Sequence, residues 1–300
     1  MRPFTICAYV VALAAISPAF AEAPSSAEPS ADVKATIAKY EALPWVNAPS
    51  KPPITARAAI ALDVKTRFLD PKGTNSLLKL TGNLPEDNSY VVAAKSRNWF
   101  AVYAFDEMGY VKDDEKIDAD ALLKSLRESQ EASNSTRKEQ GLDPLTVVGW
   151  AVPPHYDAAT HNLEYGVTLG SPSGNNINYH LRMLGRRGVM DATLITSPEY
   201  LKDDLAEFRV ANKGFAYGSG EDYASYKDGD KVSQYGLAAL VTGGAAAALV
   251  KTGLFGGLLK GLLVFWKIIA VGFIAFFASI RKFIVRLFGK GDKLGPPSGE

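Results

Sequence analysis

Apolar and β-branched residues come in short runs through the middle of the chain and in one long run near its end. The short runs predict strands at 59–63, 66–69, 90–94, 99–105, 145–152, 162–169, 177–183, 189–196 and 215–217. Hairpin-length gaps, such as Gly185-Arg186-Arg187-Gly188, predict antiparallel pairing. Helices are expected over 32–43, 75–80 and 198–210, with a longer one over 118–140. That long helix opens at an acidic cap, Asp118, ahead of Ala121-Leu122-Leu123, and Gly141 stops it. Pro44, Pro49, Pro52 and Pro53 argue against regular structure between them. The expected fold is α+β, an antiparallel sheet with one long and two short helices on one face. It occupies residues 57–230, ample for one core. No internal repeat and no alternating β-α-β order is visible.

Both ends carry a different pattern. Residues 1–21 combine Arg2, an apolar run over 6–16 and Ala19-Phe20-Ala21, which predicts a secretory leader cleaved after Ala21. The alternative is an uncleaved anchor, but the run falls short of the roughly 20 residues a span needs. Residues 22–56 read as a Pro/Ser/Ala-rich linker with a short helix. Residues 235–280 form a stretch of 46 whose only charges are Lys251, Lys260 and Lys267. As one helix it would run about 69 Å, over twice the hydrocarbon core, so it must bend, protrude or turn back. One threading is a single span at 261–280; the other is a hairpin of 261–280 with 236–250. A basic tail, 281–300, favours the single span with the tail in the cytoplasm. Gly253, Gly257 and Gly261 recur every four residues, as do Gly244 and Ala248, a spacing suited to close helix packing within a hairpin or between copies.

Charge divides the chain in the same place. Residues 22–230 hold 23 Lys and Arg against 30 Asp and Glu, a net of −7, whereas 231–300 hold 9 against 2, a net of +7. An acidic exported domain on a basic membrane tail implies the lipid bilayer as a partner and the inner membrane as the address, with the domain periplasmic. Nucleic acid is not expected, because phosphate binding needs clustered cations on the domain. The single cysteine, Cys7, lies in the leader, so the mature chain has no disulfide, thiolate metal site or cysteine nucleophile.

Chemistry-bearing residues are sparse. Asp113 and Asp114 begin an acidic run through Glu115, Asp118 and Asp120; it lacks the ligand offsets and glycine of a calcium loop, and suits a helix start. His155 and His161 flank a turn and could face one another, with Asp157 as a third group; zinc needs three or four such ligands. No metal and no cofactor is expected. Arg182, Arg186 and Arg187 surround Gly185 and could bind an anion or pair with the domain's own carboxylates. A nucleophile elbow, Gly-x-Ser-x-Gly, is absent. Trp99, Trp150 and Tyr179 read as core aromatics.

An ordered series of short motifs carries a family resemblance. It runs through Gly109-Tyr110-Val111-Lys112-Asp113-Asp114, Ile117-Asp118-Ala119-Asp120-Ala121-Leu122-Leu123, Gly149-Trp150-Ala151, Asn178-Tyr179 and Leu184-Gly185-Arg186. It ends with Asp230-Lys231-Val232, Tyr235-Gly236-Leu237-Ala238-Ala239-Leu240 and Gly243-Gly244. In this order the motifs, over about residues 57–250, resemble the DUF2167 family of bacterial membrane-anchored proteins of unknown function. The resemblance implies an exported, anchored domain and brings no catalytic residues with it. The expectation is therefore a non-enzymatic envelope protein that binds a protein or envelope component, or a second copy of itself through the membrane segment. The alternative is an anchored periplasmic hydrolase or small-ligand binder using Asp113, Asp114, Arg186, Arg187, His155 and Asp157. A third class is a sensor acting through the membrane helix.

Overall fold

A computed structural model describes residues 31–242. Along them run α1 (Ala31–Glu41), β1 (Val46–Asn47), β2 (Pro53–Ile54), β3 (Ala58–Ile60), β4 (Thr66–Leu69), α2 (Pro71–Leu80), β5 (Ser89–Ala94), β6 (Phe100–Asp106), α3 (Ala119–Glu139), β7 (Thr146–Asp157), β8 (Asn162–Ser171), β9 (Gly174–Leu184), β10 (Val189–Thr196), α4 (Leu201–Asn212), β11 (Phe215–Tyr217) and α5 (Leu237–Thr242). The fold is α+β. Eight strands form an antiparallel sheet in the order β1-β4-β5-β6-β10-β9-β8-β7, and β11-β3-β2 form a smaller one. Helix starts follow local chemistry. Asp70 accepts from Gly73 N at 2.8 Å with Pro71 next in line, and Asp118 accepts from Ala121 N at 3.0 Å. Each such cap contributes about 1 kcal/mol.

Strand alternation sorts the core. Val92, Ala94, Ala101, Tyr103, Ala192 and Leu194 pack against Phe208 and Ala211 of α4 and against Ile54, Ala58 and Ile60 of the smaller sheet. Their neighbours Val91, Ala93, Phe100, Val102 and Ile195 point the other way, under Leu77 and Leu78 of α2 and Tyr40 of α1. Farther along that second face, Leu163, Tyr165 and Val167 lie under Leu122 and Leu126 of α3 and Leu237, Leu240 and Val241 of α5. Helices thus cover both faces, not one, with α4 opposite α2 and α3. The reason lies in β9. Asn176, Asn178, His180 and Arg182 alternate with Ile177, Tyr179, Leu181 and Met183, and every one of the eight is buried. His180 and Arg182 are met by Asp191 and Thr193 of β10 and Tyr165 of β8, so their part of the face need not meet water.

The fold also reaches beyond both expected boundaries. Two short strands form inside the proline-rich segment, and Pro53 sits on the edge strand β2, where a missing N–H breaks no internal ladder. Residues assigned to a linker pack on the domain: Arg67 lies over the rings of Tyr40 at 4.8 Å and Trp45 at 4.2 Å. The same guanidinium reaches both carboxylate oxygens of Glu41, at 2.7 and 3.2 Å. At the other end α5, the first part of the apolar stretch, is seated in the core. Glu115 caps it, accepting from Ala238 N at 3.2 Å. A β-carbon on Gly236 would overlap that carboxylate, so a larger residue there would push the cap aside.

Among the described residues no helix is long and apolar enough to cross a membrane. The leader with Cys7, the spaced Gly244, Ala248, Gly253, Gly257 and Gly261, the span at 261–280 and the basic tail lie outside the described residues. Of the 236–250 arm of a hairpin, the described part is α5, and it packs on the domain.

Candidate functional site

Several strands end or begin at one rim of the main sheet. Val189 stands opposite Asp106 and Leu184, and Asn162 opposite Met183 and Asp157. The six candidate residues lie at or beside this rim but divide into separate settings.

The first setting is a set of ion pairs. Arg186 donates through Nε and Nη2 to the two oxygens of Asp230, at 2.6 and 2.8 Å. That fork, with the Lys227 N–H, holds the Asp230 carboxyl down at about 2. Arg187, half exposed, lies 3.6 Å from Glu221, whose other oxygen takes Arg57 at 3.1 Å. Arg57 also pairs with Glu107. Arg182 ends on carboxylates too, Asp191 at 3.2 Å and Asp106 at 3.6 Å. All three arginines around Gly185 therefore pair within the domain. Gly109, at φ +96°, lets two segments touch: its β-carbon would stand 2.6 Å from the Lys231 carbonyl oxygen. Tyr110 N donates to that same oxygen at 2.8 Å. Glu107, Gly109, Arg187, Asp230 and Lys231 line a cleft of about 230 Å³.

The second setting is aromatic. Tyr156 donates its hydroxyl to Asp113 at 2.7 Å and sits 3.2 Å from His161 Nδ1. Burial raises the Asp113 carboxyl, but hydrogen bonds from Tyr156 and Tyr223, with His161 nearby, outweigh it and leave the group below its ordinary range. Burial, then the Asp113 carboxylate, holds the Tyr156 hydroxyl well above its ordinary range. It serves as a hydrogen-bond donor to Asp113. Tyr226, Tyr110, Tyr223 and His161 form a column of rings with centroids 4.3, 4.4 and 4.3 Å apart. The column ties the 220s segment to the loop after β6 and to the β7–β8 turn.

The remaining candidates stand apart. Asp114 is exposed. Asp157 closes the β7–β8 turn, accepting from Ala159 N and the Thr160 hydroxyl at 2.9 Å each, which lowers its carboxyl. His155 is exposed and opposes Glu164, so it does not face His161. Adjacent strand residues point to opposite sides, and Tyr156, between two predicted residues, is the one that reaches Asp113. Among the described residues no three His, Cys, Asp or Glu side chains converge as a metal site. Sequence reading passes through Tyr156 between His155 and Asp157 without giving it a role, and does not single out Arg57, Glu107, Glu221 or the ring column. Alternation through 155–157 was the one signal that could have found Tyr156.

A solved structure with some likeness is that of cyanobacterial PsbP (CyanoP) from Synechocystis sp. PCC 6803. It shares 12% identity at a TM-score of 0.32, covering 54% of this chain and 86% of that one. No curated protein matches the chain. A family described as "Protein of unknown function (DUF2167)" matches residues 47–277, the span that holds the two-faced sheet, the rim and α5. With most of its length inside that match, the chain belongs to the DUF2167 family.

Proposed function

We propose that this is a non-enzymatic binding domain of the bacterial envelope, anchored in the inner membrane by residues after α5 and presenting its rim in the periplasm. The leader at 1–21, the apolar stretch and the −7/+7 charge division support the address. One observation carries the binding reading. The charged groups at the rim are committed to one another, as in the Arg186–Asp230 fork, so three chain segments are held as a preorganised surface. Such a surface binds without first paying an ordering cost. A second reading, a small polar ligand, is favoured by the cleft that Glu107, Arg187, Asp230 and Lys231 line.

A photo-crosslinking residue placed at Asp114 or His155 in cells tests the first reading. We expect a discrete adduct from the rim and none from the same group at Lys95, exposed at the opposite end of the sheet. Equal labelling from both ends would defeat it. Fractionation tests the address: release from membranes by high salt alone would refute an integral anchor.

A further inference from the structure

The cleft at the rim has walls from three chain segments, and backbone bonds hold them in place. Gly109 N donates to the Arg187 carbonyl at 2.9 Å, and Tyr110 N to the Lys231 carbonyl at 2.8 Å. Ser233 N returns a bond to the Tyr110 carbonyl at 2.8 Å. A line of ion pairs, Glu107–Arg57–Glu221–Arg187, joins the first wall to the second. Those pairs leave some bonding capacity unused. Arg57 occupies Glu107 Oε1, whereas Oε2 makes no hydrogen bond among the described residues, and the side chain is 65% exposed. Arg187 approaches Glu221 through Nε at 3.6 Å, too far for a hydrogen bond, and its Nη groups make none among the described residues. Lys231 is exposed, and its ammonium has no ion pair among the described residues. Asp230, by contrast, has both oxygens engaged by the Arg186 fork.

The groups left over are of both signs: a carboxylate oxygen on Glu107, and the cations of Arg187 and Lys231. All three residues line the same cleft of about 230 Å³. A simple anion would meet the Glu107 carboxylate, and a simple cation would meet Arg187 and Lys231. Like charges side by side weaken binding, whereas a molecule carrying both charges meets each with its opposite. The volume lies below the roughly 300–1,000 Å³ of drug-sized pockets, so the occupant is small. We propose that this cleft binds a small zwitterion, of the size of an amino acid or a dipeptide. Its carboxylate lies against Arg187 and Lys231, where the planar guanidinium matches two oxygens. Its ammonium lies against Glu107 Oε2. The assignment rests on the small-ligand reading of the cleft given above.

Saturation-transfer NMR on the full chain, in non-ionic detergent micelles near pH 7, tests it. The probes are alanine, alanylalanine, N-acetylalanine with only the carboxylate, and alaninamide with only the ammonium. The better of the two zwitterions should bind about tenfold tighter than either single-charge probe, because each of those lacks one charge-assisted bond. Glu107→Gln should weaken that zwitterion and alaninamide and spare N-acetylalanine. Arg187→Gln should weaken the zwitterion and N-acetylalanine and spare alaninamide. Both side chains are exposed, so neither change disturbs the core. A single-charge probe that binds as tightly as the zwitterions would overturn the proposal and leave a small polar ligand standing. So would variants that weaken every probe alike, or none of them. No binding by any probe would remove the small-ligand reading as well.

Discussion

On one face of the main sheet, Trp99, Tyr103, Tyr179 and Phe208 belong to a single apolar core that also holds the smaller sheet. On the other, two apolar clusters, one under α1 and α2 and one under α3 and α5, are separated by Arg182, Asp191, His180 and Thr193. The same strands, β5, β6, β9 and β10, build both faces. The continuous core is built from side chains that carry no charge, and Asp204 of α4, its carboxyl pushed up to about 6 by burial, stands at its margin. A divided core joins its halves through groups whose charge can change, so its stability is conditional.

Two substitutions of similar size should break this comparison most sharply. Phe208→Ala on the continuous face should cost about 3–5 kcal/mol in urea unfolding. Arg182→Met on the divided face should cost a similar 3–5 kcal/mol, because it leaves Asp191 buried without its cation. Only the second should be rescued. Adding Asp191→Leu to Arg182→Met should restore most of the loss, since replacing both partners of a buried pair is often neutral. If the double variant is no better than the single one, the polar division is held by packing and not by charge.

Much of this was legible beforehand, and what was hidden has physical causes. β4, β10 and β11 fall where alternation puts them, and Asp118 caps α3 as its position suggests. The covered second face was not legible. Asn176, Asn178, His180 and Arg182 at every other position look like the wet side of a strand, and only their partners on β8 and β10 reveal otherwise. At the rim, Asp113 and the arginines drew notice because they are charged. The groups that complete their settings, Tyr156 and Asp230, lie 43 and 44 residues away from them, a distance that no local pattern spans.

A smaller effect sharpens the account of the α1 end. Arg67→Lys keeps the charge but loses the fork on Glu41 and the planar contact with Tyr40 and Trp45. We expect a loss of about 1–2 kcal/mol and faster proteolysis within 31–47, with the α3 end unaffected. Equal loosening at both ends would show that the divided face behaves as one unit. The smallest effect is expected at the rim. Asp230 is depressed to about 2 by Arg186, so its contribution is present above the ordinary carboxylate range and is lost as pH falls through about 2. Asp230→Asn should remove that contribution at neutral pH and flatten acid unfolding between about pH 4 and pH 2. An acid limb identical to wild type would show that the pair adds nothing measurable.

The seating of α5 has a practical corollary for anyone producing this protein. A recombinant chain cut at Asp230, where the hydrophilic sequence ends, would lose Leu237, Leu240 and Val241 and bare the apolar surface of α3 and β8 that they cover. Such a fragment should aggregate. A chain carried on to Thr242 keeps those side chains and should stay dispersed. The useful place to cut lies inside the stretch that looks least soluble.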